Sequence, residues 1–272
     1  MKEADPADVA LTLKLCDAAD AITLSAYRQA NLEVAWKLDG SPVTEADRAV
    51  EGTLRGELSR QRPNDAVLGE EEGERAGSGA RGSSSETRRW IIDPIDGTAN
   101  YVRGLPIWAT LIALEVEGRV VVGAVSAPGL GRRWWAARGL GSYAVSSLEG
   151  PTRMQVSNVG ELTDAYMLGT SLSWWLQHDR LGGYTGLTSR CRWDRGIGDF
   201  WSHMLVAEGC AEVGVDPVGY IWDLAALQVI VEEAGGTFTD LNGRSWLDGG
   251  SGVSSNGLLH AQALAILAGT AG

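Results

Sequence analysis

Several acidic residues of this 272-residue chain stand where they could do chemistry. In WIIDPIDGTANY, residues 90 to 101, an apolar run ends in Asp93, Pro94 interrupts its regular continuation, and Asp96 follows three positions later. A strand ending this way delivers Asp93 to the edge of a sheet, because proline cannot donate the next ladder hydrogen bond. Asp96, just past the turn, can converge on the same point. Gly97 permits an unusual backbone angle, and Gly97-Thr98-Ala99 can open a helical turn whose unpaired N–H groups attract an anion. Two carboxylates beside an anion-binding backbone are electrostatically adverse unless cations lie between them. Further oxygen donors stand at Glu70 and Glu71, after the apolar run ending at Leu68, and at Asp223, near the front of the helical pattern WDLAALQVIVEEAGG. A donor set made of oxygen alone suits Mg2+ and needs neither His nor Cys. Two such ions suit phosphate-ester hydrolysis, one side orienting a water and the other stabilising the leaving oxygen. Taken singly, each motif has a plainer reading: turns for Asp-Pro and Asp-Gly-Thr, a solvated surface for the Glu run, a helix cap for Asp223. Together, turns and caps explain less well why acids recur just beyond apolar strands or at helix starts.

The elements that must carry these groups follow from periodicity and turn chemistry. Pro6 suits a first helical turn, and the apolar spacing after it predicts a helix over 6–30. A second helix starts near Ser41-Pro42-Val43-Thr44, with Thr44 as N-cap and Asp47 in capping-box spacing, and runs to about Arg60. Ala66 to Leu68 reads as a short strand. Residues 73–87, rich in Gly and Ser, read as a mobile surface loop. Strands at 90–93, 107–116, 120–128, 132–137 and 141–145, joined by short turns, predict an antiparallel meander. The polar stretch 146–153 is the best dividing point, leaving 1–148 as an α+β half and 149–272 as an α/β half. In the second half, strands near 164–170, 191–194, 211–215 and 236–239 alternate with helices near 174–189, 198–208 and 222–234.

Composition narrows the class. A hydrophobic content of 44% supplies ample core, and a net charge of −12 argues against sequence-independent nucleic-acid binding, which needs clustered cations. No uninterrupted apolar stretch approaches the ~20 residues of a membrane helix, and acids precede the first apolar run, unlike a signal peptide. A cytoplasmic protein with no membrane or nucleic-acid partner is expected. Cys16, Cys191 and Cys210 read as reduced, buried thiols. The pairs Trp134-Trp135 and Trp174-Trp175 read as packing and interface residues, because neighbours on a strand point to opposite faces. His178, His203 and His260 show no metal spacing and read as structural or exposed.

WIIDPIDGTANY resembles the first signature of the inositol monophosphatase superfamily, WDLAALQVIVEEAGG its second, and Gly69-Glu70-Glu71 its upstream acidic motif. They occur in the family's order and spacing, and the resemblance spans nearly the whole chain. It implies an α/β (α+β) fold, the layered αβαβα sandwich of the inositol monophosphatase and sugar phosphatase type. It also implies Mg2+-dependent, Li+-sensitive hydrolysis of a small phosphate monoester by a homodimer. Carried over by residue, Glu70, Asp93 and the Ile95 carbonyl would hold one Mg2+. Asp93, Asp96 and Asp223 would hold a second, and Glu70 would share a third, weaker ion through water. Asp47 and Thr98, with Glu70, would be catalytic, Thr98 and Asp47 orienting and helping to deprotonate the attacking water. The Gly97 and Thr98 N–H groups would receive phosphate. Lys37 matches a basic position near the metals, although a lone loop lysine is by default a solvated charge.

Substrate choice falls to the second half. Segments such as SPVTEADRAVE, GDFWSHMLVAEG and SNGLLH resemble the histidinol-phosphate phosphatase branch. That branch implies hydrolysis of L-histidinol phosphate to L-histidinol and phosphate, a step of histidine biosynthesis. RGIGDFW, residues 195 to 201, resembles the loop facing the organic part of the substrate, which singles out Arg195, Gly198 and Asp199. Asp216, seven positions before Asp223, matches a substrate-contacting acid, although Asp216-Pro217 alone reads as a turn. Ala99 stands where the branch usually has Lys, Asp216 is one methylene shorter than the usual Glu, and Gly196-Ile197 replaces Ala-Tyr. A paralogue acting on an inositol, sugar, cyclitol or nucleoside monophosphate therefore stays open, as does a non-catalytic metal-binding regulatory protein.

Overall fold

The computed structural model of the protein describes residues 4–30, 32–38, 40–77, 87–245 and 249–269. Helix α1 (Pro6–Ala26) is capped by Asp5, whose side chain accepts from the Ala7 N–H. It stops short of the expected residue 30 because Tyr27 turns to extended backbone, and the Tyr27 hydroxyl and Arg28 guanidinium both donate to the Gly104 carbonyl. A hairpin of β1 (Val34–Trp36) and β2 (Pro42–Thr44), not foreseen from periodicity, leads into α2 (Glu45–Gln61). Strands β3 (Ala66–Gly69) and β4 (Gly73–Arg75) pair antiparallel. The expected loop over 73–87 therefore begins as a strand, and residues 78–86 lie outside those described.

The meander follows as expected: β5 (Arg88–Asp96), the short helix α3 (Thr98–Val102), then β6 (Ala109–Val116), β7 (Arg119–Ala127), β8 (Arg132–Ala137), β9 (Gly141–Ser146) and β10 (Thr152–Arg153). Strand β10 pairs with β9 across the polar stretch at 146–153. The large sheet has the order β10-β9-β8-β7-β6-β5-β3-β4, antiparallel except for the parallel pair β3 and β5. The later half contributes β11 (Tyr166–Gly169), α4 (Leu172–Gln177), α5 (Leu181–Thr188), β12 (Trp193–Gly196), α6 (Asp199–Ala207), β13 (Val213–Asp216), α7 (Ile221–Glu233), β14 (Thr237–Thr239), β15 (Gly252–Ser255) and α8 (His260–Leu267). The single helix expected near 174–189 is two, separated where Asp179 takes a left-handed φ of 56°. Strand β15 and helix α8 carry no periodic signal long enough to announce them. The small sheet has the order β12-β11-β13-β15-β14.

These elements stack as an αβαβα sandwich. Leu11 and Leu15 of α1 and Val50 and Leu54 of α2 pack on Trp90, Ile92, Ile112 and Val122 from one face of the large sheet. The opposite face offers Ile91, Leu111, Ala113 and Val125 to Phe200 and Met204 of α6 and to Leu224, Leu227 and Ile230 of α7. Helices α5 and α8 cover the far face of the small sheet, with Leu187, Ala263 and Ile266 against Met167, Val213 and Val253. Helix α7 is thus buried between two sheets, which is why its sequence is apolar nearly all round. Gly123 of β7 makes this docking possible: a Cβ there would stand 2.5 Å from Val229 Cγ1 and 2.7 Å from the Ala226 carbonyl.

Cys16 is buried, and burial pushes its thiol up to about 12. Cys210 is exposed and Cys191 half-buried, which corrects the expectation of three buried thiols; all three are free. His260 bridges Ser255 Oγ at 2.9 Å and Thr239 Oγ1 at 2.9 Å, tying α8 to the small sheet.

Candidate metal centre and active site

Alternation along β5 sends Trp90 and Ile92 to the α1/α2 face and Ile91 and Asp93 to the α7 face. Asp96, three positions on, would ordinarily point the other way. The register with β6 shifts between Asp93, opposite Leu111, and Asp96, opposite Ala109, so three steps on β5 match two on β6. This bulge at Pro94-Ile95 returns both carboxylates to one face while Ile95 is buried beside Tyr101 and Trp108. Asp223 comes from the first turn of α7, its Oδ2 accepting from the Tyr220 N–H at 2.8 Å. Asp93, Asp96 and Asp223 each bring a carboxylate oxygen within 4.8 Å of the others.

So many buried acids raise one another. Burial, then Glu70, Asp96 and Asp223, push the Asp93 carboxyl well above the carboxylate range. Burial, then Asp199 and Asp223, do the same to Asp96. Asp223 is pushed up to about 7 by burial, against the stabilising Tyr220 N–H. Asp93 is 2% exposed, and its Oδ1 is buried with no hydrogen-bond partner among the described residues. An all-oxygen cluster with an unsatisfied carboxylate oxygen fits a hard divalent cation such as Mg2+.

Glu70 follows β3, and its N–H donates to the Ile92 carbonyl at 3.2 Å, which holds it beside β5. Lys37, on the hairpin, donates to Glu70 Oε1 at 2.7 Å and Glu71 Oε1 at 2.6 Å, so it is no solvated loop charge. The capping box of α2 is built as expected: Thr44 Oγ1 accepts from the Ala46 and Asp47 N–H groups, and Asp47 Oδ2 accepts from the Thr44 N–H at 2.8 Å. The Thr44 hydroxyl also donates to Asp47 Oδ2 at 2.6 Å. Asp47 is fully buried and pushed up to about 6, by burial first and by Glu71 and Glu70 next, against its bonds from Thr44. Its other oxygen, Oδ1, lies 3.3 Å from Thr98 Oγ1, which also donates to the Ile95 carbonyl at 2.8 Å. Gly97 caps α3 in a left-handed conformation, φ 80°, and a Cβ there would meet the Ile107 carbonyl at 3.0 Å.

Beside this cluster lies a cavity of about 180 Å³ lined by Asp96, Asp199, Asp216, Asp223, Trp174 and the Pro217-Val218-Gly219 turn, among others. Gly198 precedes α6 with a φ of 75°, and Asp199 holds a φ of 51°, a strained conformation for a non-glycine residue. Burial, with Asp216 next, pushes Asp199 up to about 7, and Asn100 Nδ2 donates to its Oδ2 at 3.1 Å. The Phe200 N–H donates to Asp96 Oδ2 at 2.8 Å, tying α6 to the cluster. Arg195 is not brought here: it sits on the exposed strand β12 with its guanidinium 5.8 Å from the Tyr166 ring. The Trp174-Trp175 pair lies on a helix, with Trp175 packed in the core and Trp174, 47% exposed, on the cavity wall. Asn100, which holds Asp199, and Trp174, on the cavity wall, are residues that sequence reasoning did not assign to the site.

Residues 6–270 match the model of the inositol monophosphatase family. The chain belongs to that family. It is 49% identical over 264 residues to a histidinol-phosphatase of Streptomyces coelicolor, covering 96% of each chain. It is 48% identical over 258 residues to a histidinol-phosphatase of Mycobacterium tuberculosis, covering 94% of this chain and 96% of the relative. Among solved structures, the extragenic suppressor protein SuhB of Bartonella henselae superposes with a TM-score of 0.84 at 28% identity, covering 96% of this chain and 98% of that one. An inositol monophosphatase family member is a phosphoric monoester hydrolase of small substrates, and the family is generally Mg2+-dependent, in keeping with the acidic cluster. No helix among the described residues is long and apolar enough to cross a membrane.

Proposed function

We propose that the protein hydrolyses L-histidinol phosphate to L-histidinol and phosphate. The observation that carries this reading is the 49% identity to a histidinol-phosphatase over 96% of both chains. The chemistry of the cavity supports it, because Asp199, Asp216 and the face of Trp174 suit an ammonium and an imidazole.

Two or three Mg2+ ions per site belong to the same reading. Glu70, Asp93 and the Ile95 carbonyl would hold one, Asp93, Asp96 and Asp223 a second, and Glu70 would share a third through water. When bound, the ions supply charge neutralisation for the carboxylates and for the attacking and leaving oxygens. The remaining work falls to the chain. Thr98 Oγ1 orients the attacking water, and Asp47, held by Thr44 and raised toward neutrality, draws the proton through the Thr98 hydroxyl. The N–H groups of Gly97 and Thr98 receive the phosphate. The strained Asp199, preceded by the N-cap Gly198, shapes the wall against the organic half, Arg195 stands outside that wall within one chain, and Asp216 accepts a donor hydrogen from the substrate. On this reading residues 1–148 carry most metal ligands, and 149–272 carry Asp223 and the specificity residues. Inhibition by Li+, a homodimer and a cytoplasmic location complete the proposal.

The decisive measurement is kcat/KM for histidinol phosphate against inositol, sugar and nucleoside monophosphates, with Mg2+ and with EDTA. A clear preference for histidinol phosphate is expected, abolished by EDTA. A second reading, a paralogue acting on an inositol, sugar, cyclitol or nucleoside ester, is favoured by the short Asp216 and by Ala99 and Gly196, and equal or better rates on those esters would establish it. Absence of phosphate release from every ester would leave a non-catalytic metal-binding protein.

A further inference from the structure

His203, on α6, is fully buried beside the cavity. Its Nε2 lies 2.8 Å from Asp216 Oδ2 and its Nδ1 2.8 Å from Ser254 Oγ on β15. An ionised carboxylate can only accept, so Nε2 carries the proton toward Asp216, and in the neutral ring Nδ1 accepts from the Ser254 hydroxyl. The Phe238 ring packs against the imidazole with centroids 5.2 Å apart. Glycine is needed opposite it: a Cβ at Gly214 would stand 2.6 Å from Ser254 Oγ and 3.3 Å from His203 Nδ1. Asp216 Oδ1, by contrast, is buried and has no hydrogen-bond partner among the described residues. One oxygen of this acid is therefore gripped from behind, and the other is left for a donor that enters the cavity Asp216 lines.

We propose that His203 is a positioning residue for substrate selection: by anchoring Asp216 Oδ2 it aims Oδ1 at a donor hydrogen on the organic half of the phosphate ester. This deepens the reading above and rests on it for the identity of the donor, the ammonium of histidinol phosphate. The terminal torsion of an aspartate is broad, so an unanchored Asp216 carboxylate would rotate among several directions. The imidazole removes that freedom without touching substrate. The role is one that a short acid needs, because it must place its single open oxygen well to make up for its reach.

The test compares the wild type with His203→Leu, His203→Gln, Ser254→Ala, Asp216→Asn and the double variant H203L/D216N, all with Mg2+, on L-histidinol phosphate and on phenyl phosphate, which has no amine. His203→Leu is expected to raise KM for histidinol phosphate about tenfold or more, as loss of a charge-assisted hydrogen bond does. Its kcat, and its kcat/KM on phenyl phosphate, should stay within about threefold of wild type. His203→Gln, which keeps an N–H donor, should recover part of the loss, and Ser254→Ala should show a smaller loss with the same selectivity. In H203L/D216N the two effects should not add, because both act through one carboxylate. The proposal is overturned if folded His203 or Ser254 variants keep the wild-type KM, if both esters lose turnover equally, or if the double variant is additive. Should His203→Leu fail to fold, the Gln and Ser254 variants decide by the same criteria. A wild type that prefers an amine-free ester sinks the histidinol-phosphate reading alone; the variants are then read on that ester against phenyl phosphate, and the same split is expected.

Discussion

Asp47 joins the folding of α2 to the proposed chemistry. One of its oxygens closes a capping box with Thr44 and the other faces Thr98, so the helix start holds in place the residue proposed as the base. Thr98→Ala should lower kcat by roughly 10²–10⁴, the range of a lost acid–base contribution, with Mg2+ affinity little changed; a variant turning over near the wild-type rate would remove Thr98 from the mechanism. Because Asp47 is raised to about 6 and is the proposed base in its ionised form, kcat should fall as pH drops through about 6. A profile flat down to pH 5 would exclude it. Asp93→Asn takes away a charge that neighbours Glu70, Asp96 and Asp223 alike. Activity should vanish while thermal unfolding stays cooperative, and calorimetric Mg2+ titration should show lost affinity; an active Asp93→Asn protein would contradict the ligand set.

At the level of elements, two features set the geometry. The bulge in β5 turns Asp93 and Asp96 to one face, and close docking of α7 on β7 brings Asp223 to meet them. Gly123→Ala tests the second, since its methyl would enter the space of Val229 and the Ala226 carbonyl. Overpacking of this kind costs about 1–3 kcal/mol, read by denaturant unfolding. The Mg2+ concentration needed for half-maximal activity should rise as well, because α7 carries Asp223; destabilisation with unchanged Mg2+ dependence would detach the ligand from the helix. The helix assignments at 44–60 and 222–234 and the meander from 90 to 145 were legible because capping chemistry, 3.6-residue spacing and two-residue alternation are local. The hairpin Val34–Thr44, the break at Asp179 and the terminal β15 and α8 were not, being too short for periodicity to register.

For the whole molecule, the acidic cluster links stability to metal and pH. Asp199 and Asp223 are raised by burial to about 7. Between the unfolded value near 4 and about 7 the folded chain keeps protons that the unfolded chain has released, so their contribution falls as pH rises through that window and is level above it. His260, lowered by burial to about 4, acts in the opposite sense, its contribution being lost as pH falls below about 6.5. Comparing protein with Mg2+ and with EDTA isolates the cluster, because His260 stands at the start of α8, bonded to Ser255 and Thr239 of the small sheet rather than to the acids. Mg2+ at one hundred times Kd should stabilise the folded chain by about 2.7 kcal/mol, and a fixed Mg2+ concentration should raise Tm more at pH 8 than at pH 5. Equal increments at both pH values would mean that the carboxylates are not the metal site.

Sequence alone determined which acids stand at strand ends and helix starts, because proline, glycine and capping residues act on their immediate neighbours, and motif order carried the family. The resemblance had already paired Thr98 with Asp47, 51 positions apart; tertiary structure alone decided that Trp174 lines the cavity and that Arg195 does not. It also decided that His203 grips Asp216. Those meetings depend on the order of strands in two sheets and on how closely a helix docks between them, and no local pattern encodes either.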